Sequence, residues 1–235
     1  MSGSASGSAD RMQRWEQWLA LCQEQALDGD LPIVDPHHHL WDRGGHTYLA
    51  QQFAHDAGSG GHQLLASVYV ECLSQYHGDG PLHLRPVGET AYVAGLEWPA
   101  SGTGVPAIAA GIVAFADLSL GDAVDEVLDA HALVAQGRLR GVRYSTAHDA
   151  DPAIHGAYPT RPGMLREAAV LAGARRLAVR GLSFDVWSYF HQLDDVLVLA
   201  RACPELSIVV DHAGGPIGIG PYADRRAEVF GRWRQ

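Results

Sequence analysis

The sequence predicts an α/β fold: a (β/α)8 TIM barrel that stops after about six βα units and carries an added N-terminal helix. Three observations predict it. Six short apolar, β-branched runs recur along the chain with amphipathic helical stretches between them, an alternation that builds right-handed βαβ units and a parallel sheet. Several runs are apolar on both alternating faces, as strands covered on both sides are. Most runs also end in polar, reactive residues, where parallel barrels keep their chemistry. An open doubly wound sheet shares the last property. It usually has a Gly-rich phosphate turn after its first strand, however, and here that place holds His37-His38-His39.

Residues 1–9, Ser, Gly and Ala after Met1, are expected to be flexible. From Asp10 to Leu27 the residues Met12, Trp15, Leu19, Cys22 and Ala26 recur at helical steps. That spacing predicts a helix clamped on the outside of the domain. Residues 1–28 thus form a tail plus helix, and 29–235 an incomplete barrel. The strand candidates are Leu31–Asp35, Leu65–Glu71, Ala107–Ala116, Leu139–Ser145, Leu182–Trp187 and Leu206–Ala213. Helix candidates are Gly121–Ala135, Met164–Leu177, Leu193–Cys203 and Tyr222–Arg234. A complete barrel takes about 250 residues. Six units, with a last helix lacking a C-cap Gly, read as part of a longer protein.

Hydrophobic residues make up 47% of the 235 and charged residues 19%, enough to bury a core and to exclude a disordered chain. The net charge of −10 disfavours a nucleic-acid partner. No apolar stretch reaches membrane length, and the N-terminus has no secretory pattern. Cys22, Cys72 and Cys203 are widely spaced, which speaks against a disulfide framework or a thiolate zinc site and for a reducing cytoplasm. Histidine stands out: eight of the 13 lie between His37 and His83. The Ser-hydrolase elbow, the P-loop and the HExxH helix are absent. The expected partner is a small-molecule substrate, with oligomeric state open.

The strongest local signal is Asp35-Pro36-His37-His38-His39-Leu40-Trp41-Asp42. Side chains alternate along a strand, so His37 and His39 share a face and His38 takes the other. Two neutral imidazoles so placed suit zinc and related cations; the bland alternative is a His-rich loop. His212, in Val210-Asp211-His212-Ala213-Gly214-Gly215-Pro216, follows a buried-type strand and could be a third ligand or polarise a carbonyl. Asp211 has the opposite parity and is expected to support rather than react. Arg140 and Arg143 also differ in parity. Arg143, nearer the strand end, is the candidate to hold a substrate carboxylate. Glu71 ends the second strand and could accept a proton or a hydrogen bond. Asp185, Trp187 and His191 are weaker candidates.

Taken together, VDPHHHLWD, VYVEC, AGIVAFADL, RGVRYS, GLSFDVW and IVVDHAGGP, in that order, resemble the amidohydrolase-related family of TIM-barrel hydrolases. The likeness is strongest to the branch of 2-pyrone-4,6-dicarboxylate lactonase and L-fuconolactonase, and it spans about residues 31–235. It implies metal-dependent hydrolysis of an ester bond, the opening of a carboxylated or sugar-derived lactone by water attack on the carbonyl. The family's first-strand HxH maps to His37 and His39, its sixth-strand His to His212 and its fourth-strand Arg to Arg143. The resemblance implies a divalent ion at His37, His39 and His212, zinc first, with metal-free catalysis as the alternative within the branch. His212 and Glu71 are the expected catalytic groups. The family's eighth-strand Asp, which serves as base, has no counterpart in this chain. Alternatives are a metal-dependent decarboxylase of the same family and an inactive barrel fragment.

Overall fold

The computed structural model describes residues 14–235 apart from 16, 23, 25, 26, 44, 45, 98–106, 155 and 157. The expected tail lies outside the described residues, as do Met12 and Ala26 of the expected N-terminal stripe. Trp15, Trp18 and Leu19 are helical, but from Ala20 the described residues are turn or coil. Of the stripe, Trp15 is 54% and Leu19 57% exposed and Cys22 is exposed, so its described residues do not clamp onto the barrel. An isolated helical turn is marginal without a face to pack on.

Six parallel strands form one sheet. They are β1 (Pro32–His38), β4 (Gln63–Val70), β5 (Ala107–Phe115), β6 (Leu139–Ser145), β7 (Ser183–Trp187) and β8 (Ile208–Val210), adjacent in that order. The strands β2 (Trp41–Arg43) and β3 (His46–Tyr48) make a separate antiparallel hairpin. The helices α1 (Ala50–Ser59), α2 (Val87–Gly95), α3 (Val124–Val134), α4 (Ala168–Val179), α5 (Leu193–Ala202) and α6 (Arg226–Trp233) complete the chain. This is the expected α/β barrel in its first six strands.

Alternation decides which face each strand buries. Val142, Phe184 and Val186 point outward and meet Val127 and Leu128 of α3, Leu177 of α4 and Leu199 of α5. Tyr69 and Ile112 meet Phe53 of α1 and Val93 of α2. Gly141 lets β6 and β7 approach: a Cβ there would lie 2.0 Å from Ser183 Oγ. Pro36 has no N–H for the ladder, and the β1–β4 register shifts between Asp35 and His38. Across the middle of the sheet Phe115 pairs with Arg143, and Arg143 with Asp185.

Three expectations need correction. β1 runs through His38 rather than stopping at Asp35. β8 ends at Val210, and the following residues turn instead of continuing to Ala213. The hairpin, α1 and α2 were not expected. α1 buries only Phe53, and α2 is buried nearly all round, Glu89 included; neither offers a helical stripe to read. No helix among the described residues is long and apolar enough to cross a membrane. The three cysteines are free, Cys72 and Cys203 buried and Cys22 exposed.

Candidate active site

β1 and β8 stand at opposite ends of the strand order. In a flat sheet with strands about 4.8 Å apart they would be about 24 Å from each other. Yet the ring of His37, on β1, lies 5.1 Å from the ring of His212, just past β8. The sheet curls as a barrel does, and its strand tips share one mouth.

On β1 the three histidines divide as alternation requires. His38 faces outward, buried and stacked 4.2 Å from Phe53. His37 and His39 face the mouth, their Nε2 atoms 3.1 Å apart. The His39 Nδ1–H donates to the Val70 carbonyl at 2.7 Å, which turns the Nε2 lone pair toward His37. Arg143 Nη1 stands 3.4 Å from His37 Nε2. Burial, first, and then neighbouring cations push both imidazoles down to about 4. They are therefore neutral near pH 7.

Two neutral imidazole nitrogens converging in this way suit one shared electrophile. Their spacing is near the roughly 3.3 Å between two ligands of a tetrahedral ion with bonds of 2.0–2.1 Å. A backbone carbonyl fixing the far nitrogen of His39 is the usual support of a metal-bound imidazole. The pair thus fits half of a divalent-ion site. Among the described residues no three His, Cys, Asp or Glu side chains are grouped to hold a metal ion.

Arg143 is buried at the mouth, while Arg140 is exposed and donates to the carbonyls of Gly137 and Leu139. Arg143 Nε donates to Glu71 Oε1 at 2.8 Å, and Nη2 donates to the Glu71 carbonyl at 2.6 Å. The Tyr158 hydroxyl also donates to Glu71 Oε1, and Leu73 N–H donates to Oε2 at 3.3 Å. Glu71, expected as a catalytic group, has its oxygens occupied by this chain and serves to position Arg143. Of the guanidinium nitrogens, Nη1 faces the mouth, 3.9 Å from Asp211 Oδ2.

Past β8, His212, Ala213, Gly214 and Gly215 lie one after another in the left-handed region, with φ of 51°, 54°, 73° and 57°. The turn undoes strand parity, so Asp211 and His212 both reach the mouth. Asp211 is 3% exposed. Neither of its oxygens has a hydrogen bond among the described residues, and Oδ1 lies 3.9 Å from His37 Nδ1. Burial, joined by the charge of Glu71 and opposed by Arg143, pushes its carboxyl up to about 6. Burial and Asp211 raise Asp185 likewise, to about 6. Three buried carboxyls, Glu71, Asp185 and Asp211, thus gather around one buried guanidinium.

Glu89 and Tyr158 escaped the sequence reading. Tyr158 sits on the loop after β6, where no periodicity marks it; in the fold it stacks on Phe115. Glu89 Oε1 accepts from the Tyr69 hydroxyl at 2.6 Å and from the N–H groups of Cys72 and Ser74 at 2.8 and 3.3 Å. Its Oε2 has no hydrogen bond. Burial pushes Glu89 up to about 7; the Tyr69 hydrogen bond opposes this and Glu71 adds to it. A carboxyl raised in the folded state contributes stability at low pH that is lost as pH rises through the folded value. Between pH 5 and pH 8, Glu89→Gln should therefore gain about 2–3 kcal/mol over the parent in urea unfolding. A difference independent of pH would mean that Glu89 ionises normally.

Residues 34–235 match the family described as Amidohydrolase. The uncharacterized protein y4mH of Sinorhizobium fredii (strain NBRC 101917 / NGR234) is 31% identical over 207 residues, covering 79% of this chain. This chain spans 63% of that relative's length. Among solved structures, an amidohydrolase from Burkholderia multivorans with bound Hepes superposes with a TM-score of 0.57 at 22% identity, over 86% of this chain and 63% of that one. A second crystal form of that protein, with bound Zn, gives 0.55 at 21% identity over the same shares. A probable 2-pyrone-4,6-dicarboxylic acid hydrolase from Acinetobacter baumannii, with citric acid bound, gives 0.50 at 12% identity, over 85% of this chain and 65% of that one. These likenesses concern the fold.

Proposed function

The chain belongs to the amidohydrolase family, and from that premise we propose that it is a metal-dependent hydrolase that opens lactones. The observation that carries the reading is the convergence of His37, His39 and His212 from the two ends of the strand order onto one mouth. His37 and His39 would hold a divalent ion, zinc first; His212, whose ring centre is 5.1 Å from that of His37, would have to draw in to serve as the third ligand. When bound, the ion supplies Lewis acidity to the ester carbonyl. The Zn-bound structure of the Burkholderia multivorans amidohydrolase supports that choice.

The chain's own groups do the rest. Arg143 Nη1 orients the substrate carboxylate or carbonyl, held in place by Glu71 and Tyr158. Asp211, raised to about 6 and without a hydrogen bond of its own, holds or releases a proton beside His37. His38 packs in the outer core on Phe53 and Tyr69 and contributes to stability. The substrate is a small molecule, and the free cysteines fit a reducing cytoplasm.

Two measurements on the full chain test the reading: metal content after purification, and turnover of carboxylated and sugar lactones beside CO2 release from aromatic acids. Bound zinc lost on His39→Ala, together with lactone opening, is the expected result. CO2 release without ring opening would replace the lactonase by a decarboxylase. Neither reaction in a folded, metal-loaded chain would leave an inactive barrel fragment.

A further inference from the structure

The mouth has a second half of different character. Beside His212 lies an open groove of about 540 Å³. Its walls include Ile154, Trp187, Pro216, Ile217 and Ile219, and His212 forms the border with the charged side. Trp187 meets the His212 ring edge-on at 4.5 Å and Tyr189 at 5.4 Å. The Tyr189 hydroxyl is committed to the Ile154 carbonyl at 2.6 Å. Gly215 holds the loop close: a Cβ there would lie 2.5 Å from the Ser188 carbonyl oxygen and 3.1 Å from the Trp187 ring.

The charge buried at the mouth gathers at Arg143, outside the groove lining; a further buried carboxylate, Asp149, is bonded to His191 and Tyr222 and does not line the groove either. Arg143 comes from β6, Glu71 from just past β4, Asp185 from β7 and Asp211 from just past β8, and none of them lines the groove. A polyol placed in the groove would give up water with few partners in return, which is unfavourable. An aromatic or branched apolar group would bury its area against Trp187 and the isoleucines. From this division we propose that the groove is a substrate subsite for an aromatic or branched apolar substituent, carried beside a carbonyl that reacts at the histidines. The substrate class is then an aryl- or alkyl-substituted hydroxy-acid ester or lactone rather than a sugar lactone. The inference rests on the reading of His37, His39 and His212 as the reacting centre.

The test uses the full chain and two stable hydroxy acids of the kind ring opening releases, a phenyl-substituted γ-hydroxybutyrate and gluconate, titrated by calorimetry. The phenyl acid is expected to bind about ten- to a hundredfold more tightly. Trp187→Ala should reduce that preference to within about threefold and leave gluconate affinity unchanged. Should Trp187→Ala fail to fold, Ile219→Ser on the exposed loop replaces it, with a loss of about threefold for the phenyl acid alone. Equal or tighter gluconate binding, a preference that survives these substitutions, or no binding of either acid would overturn the subsite. Lactone turnover measured alongside separates the two claims. Turnover without preference removes the groove and keeps the hydrolase; preference without turnover of any lactone does the reverse.

Discussion

Replacing Arg143 by alanine is expected to lower folding stability by about 3–5 kcal/mol, seen as a lower urea midpoint at unchanged slope. Glu71 is 1% exposed and its carboxylate is held by the Arg143 guanidinium at 2.8 Å. Arg143 is also the cation that opposes the upward push on Asp211 and Asp185. Without it, Glu71 keeps the Tyr158 hydroxyl and a backbone N–H, but loses the positive charge that balances it and the buried carboxyls of Asp185 and Asp211. The effect should depend on pH in a definite direction. Loss of the guanidinium raises the Asp185 and Asp211 values further, so the defect is smallest where those two are protonated and grows as pH rises from 5 to 8. Arg140→Ala is the control, because its side chain is exposed and bonds only to carbonyls of its own turn. A change within about 0.5 kcal/mol is expected there. Equal effects at the two arginines would remove Arg143 from the centre of the charge network.

His37→Ala and His39→Ala are each expected to reduce turnover by about a hundredfold or more, with stability changes near 1 kcal/mol. Both rings face the mouth, and each loses at most one or two hydrogen bonds when removed. His38→Ala should do the opposite. Its ring packs on Phe53 and Tyr69, so the variant loses stability and keeps its turnover per folded molecule. The double change His37→Ala/His39→Ala should be scarcely worse than either single change, as groups that act as one unit are not additive. Kinetics on the four proteins, normalised to the folded fraction, decide the matter. A His38 variant as inactive as its neighbours would mean that the segment matters for shape and not for chemistry.

The repeating unit of the fold was legible because its strands are buried on both faces: a run such as Ala107–Ala116 has no polar side to confuse it with a helix. Parity along a straight strand was equally informative. It separated His38 from His37 and His39, and Arg143 from Arg140, before any coordinates. It failed at Asp211 and His212, because β8 ends at Val210 and the next residues do not follow strand geometry. The occupied state of Glu71 was out of reach. It depends on Arg143, 72 residues away, and on Tyr158, which no pattern marks. The two helices on either side of β4 leave no sequence signal for a different reason. α1 has one buried anchor, and α2 is covered on every side, Glu89 among the rest.

The reversed corner at 212–215 reaches beyond its local geometry. Left-handed backbone is ordinary for glycine and costs other residues about 1 kcal/mol or more each, so His212 and Ala213 are tolerated there because the two glycines complete the bend. Mirror-image winding delivers neighbouring side chains to a single point, where a right-handed exit would splay them apart. A chain that assembles the same mouth should thus be recognisable by the whole run of acid, imidazole, small residue and paired glycines, rather than by a lone histidine after a strand.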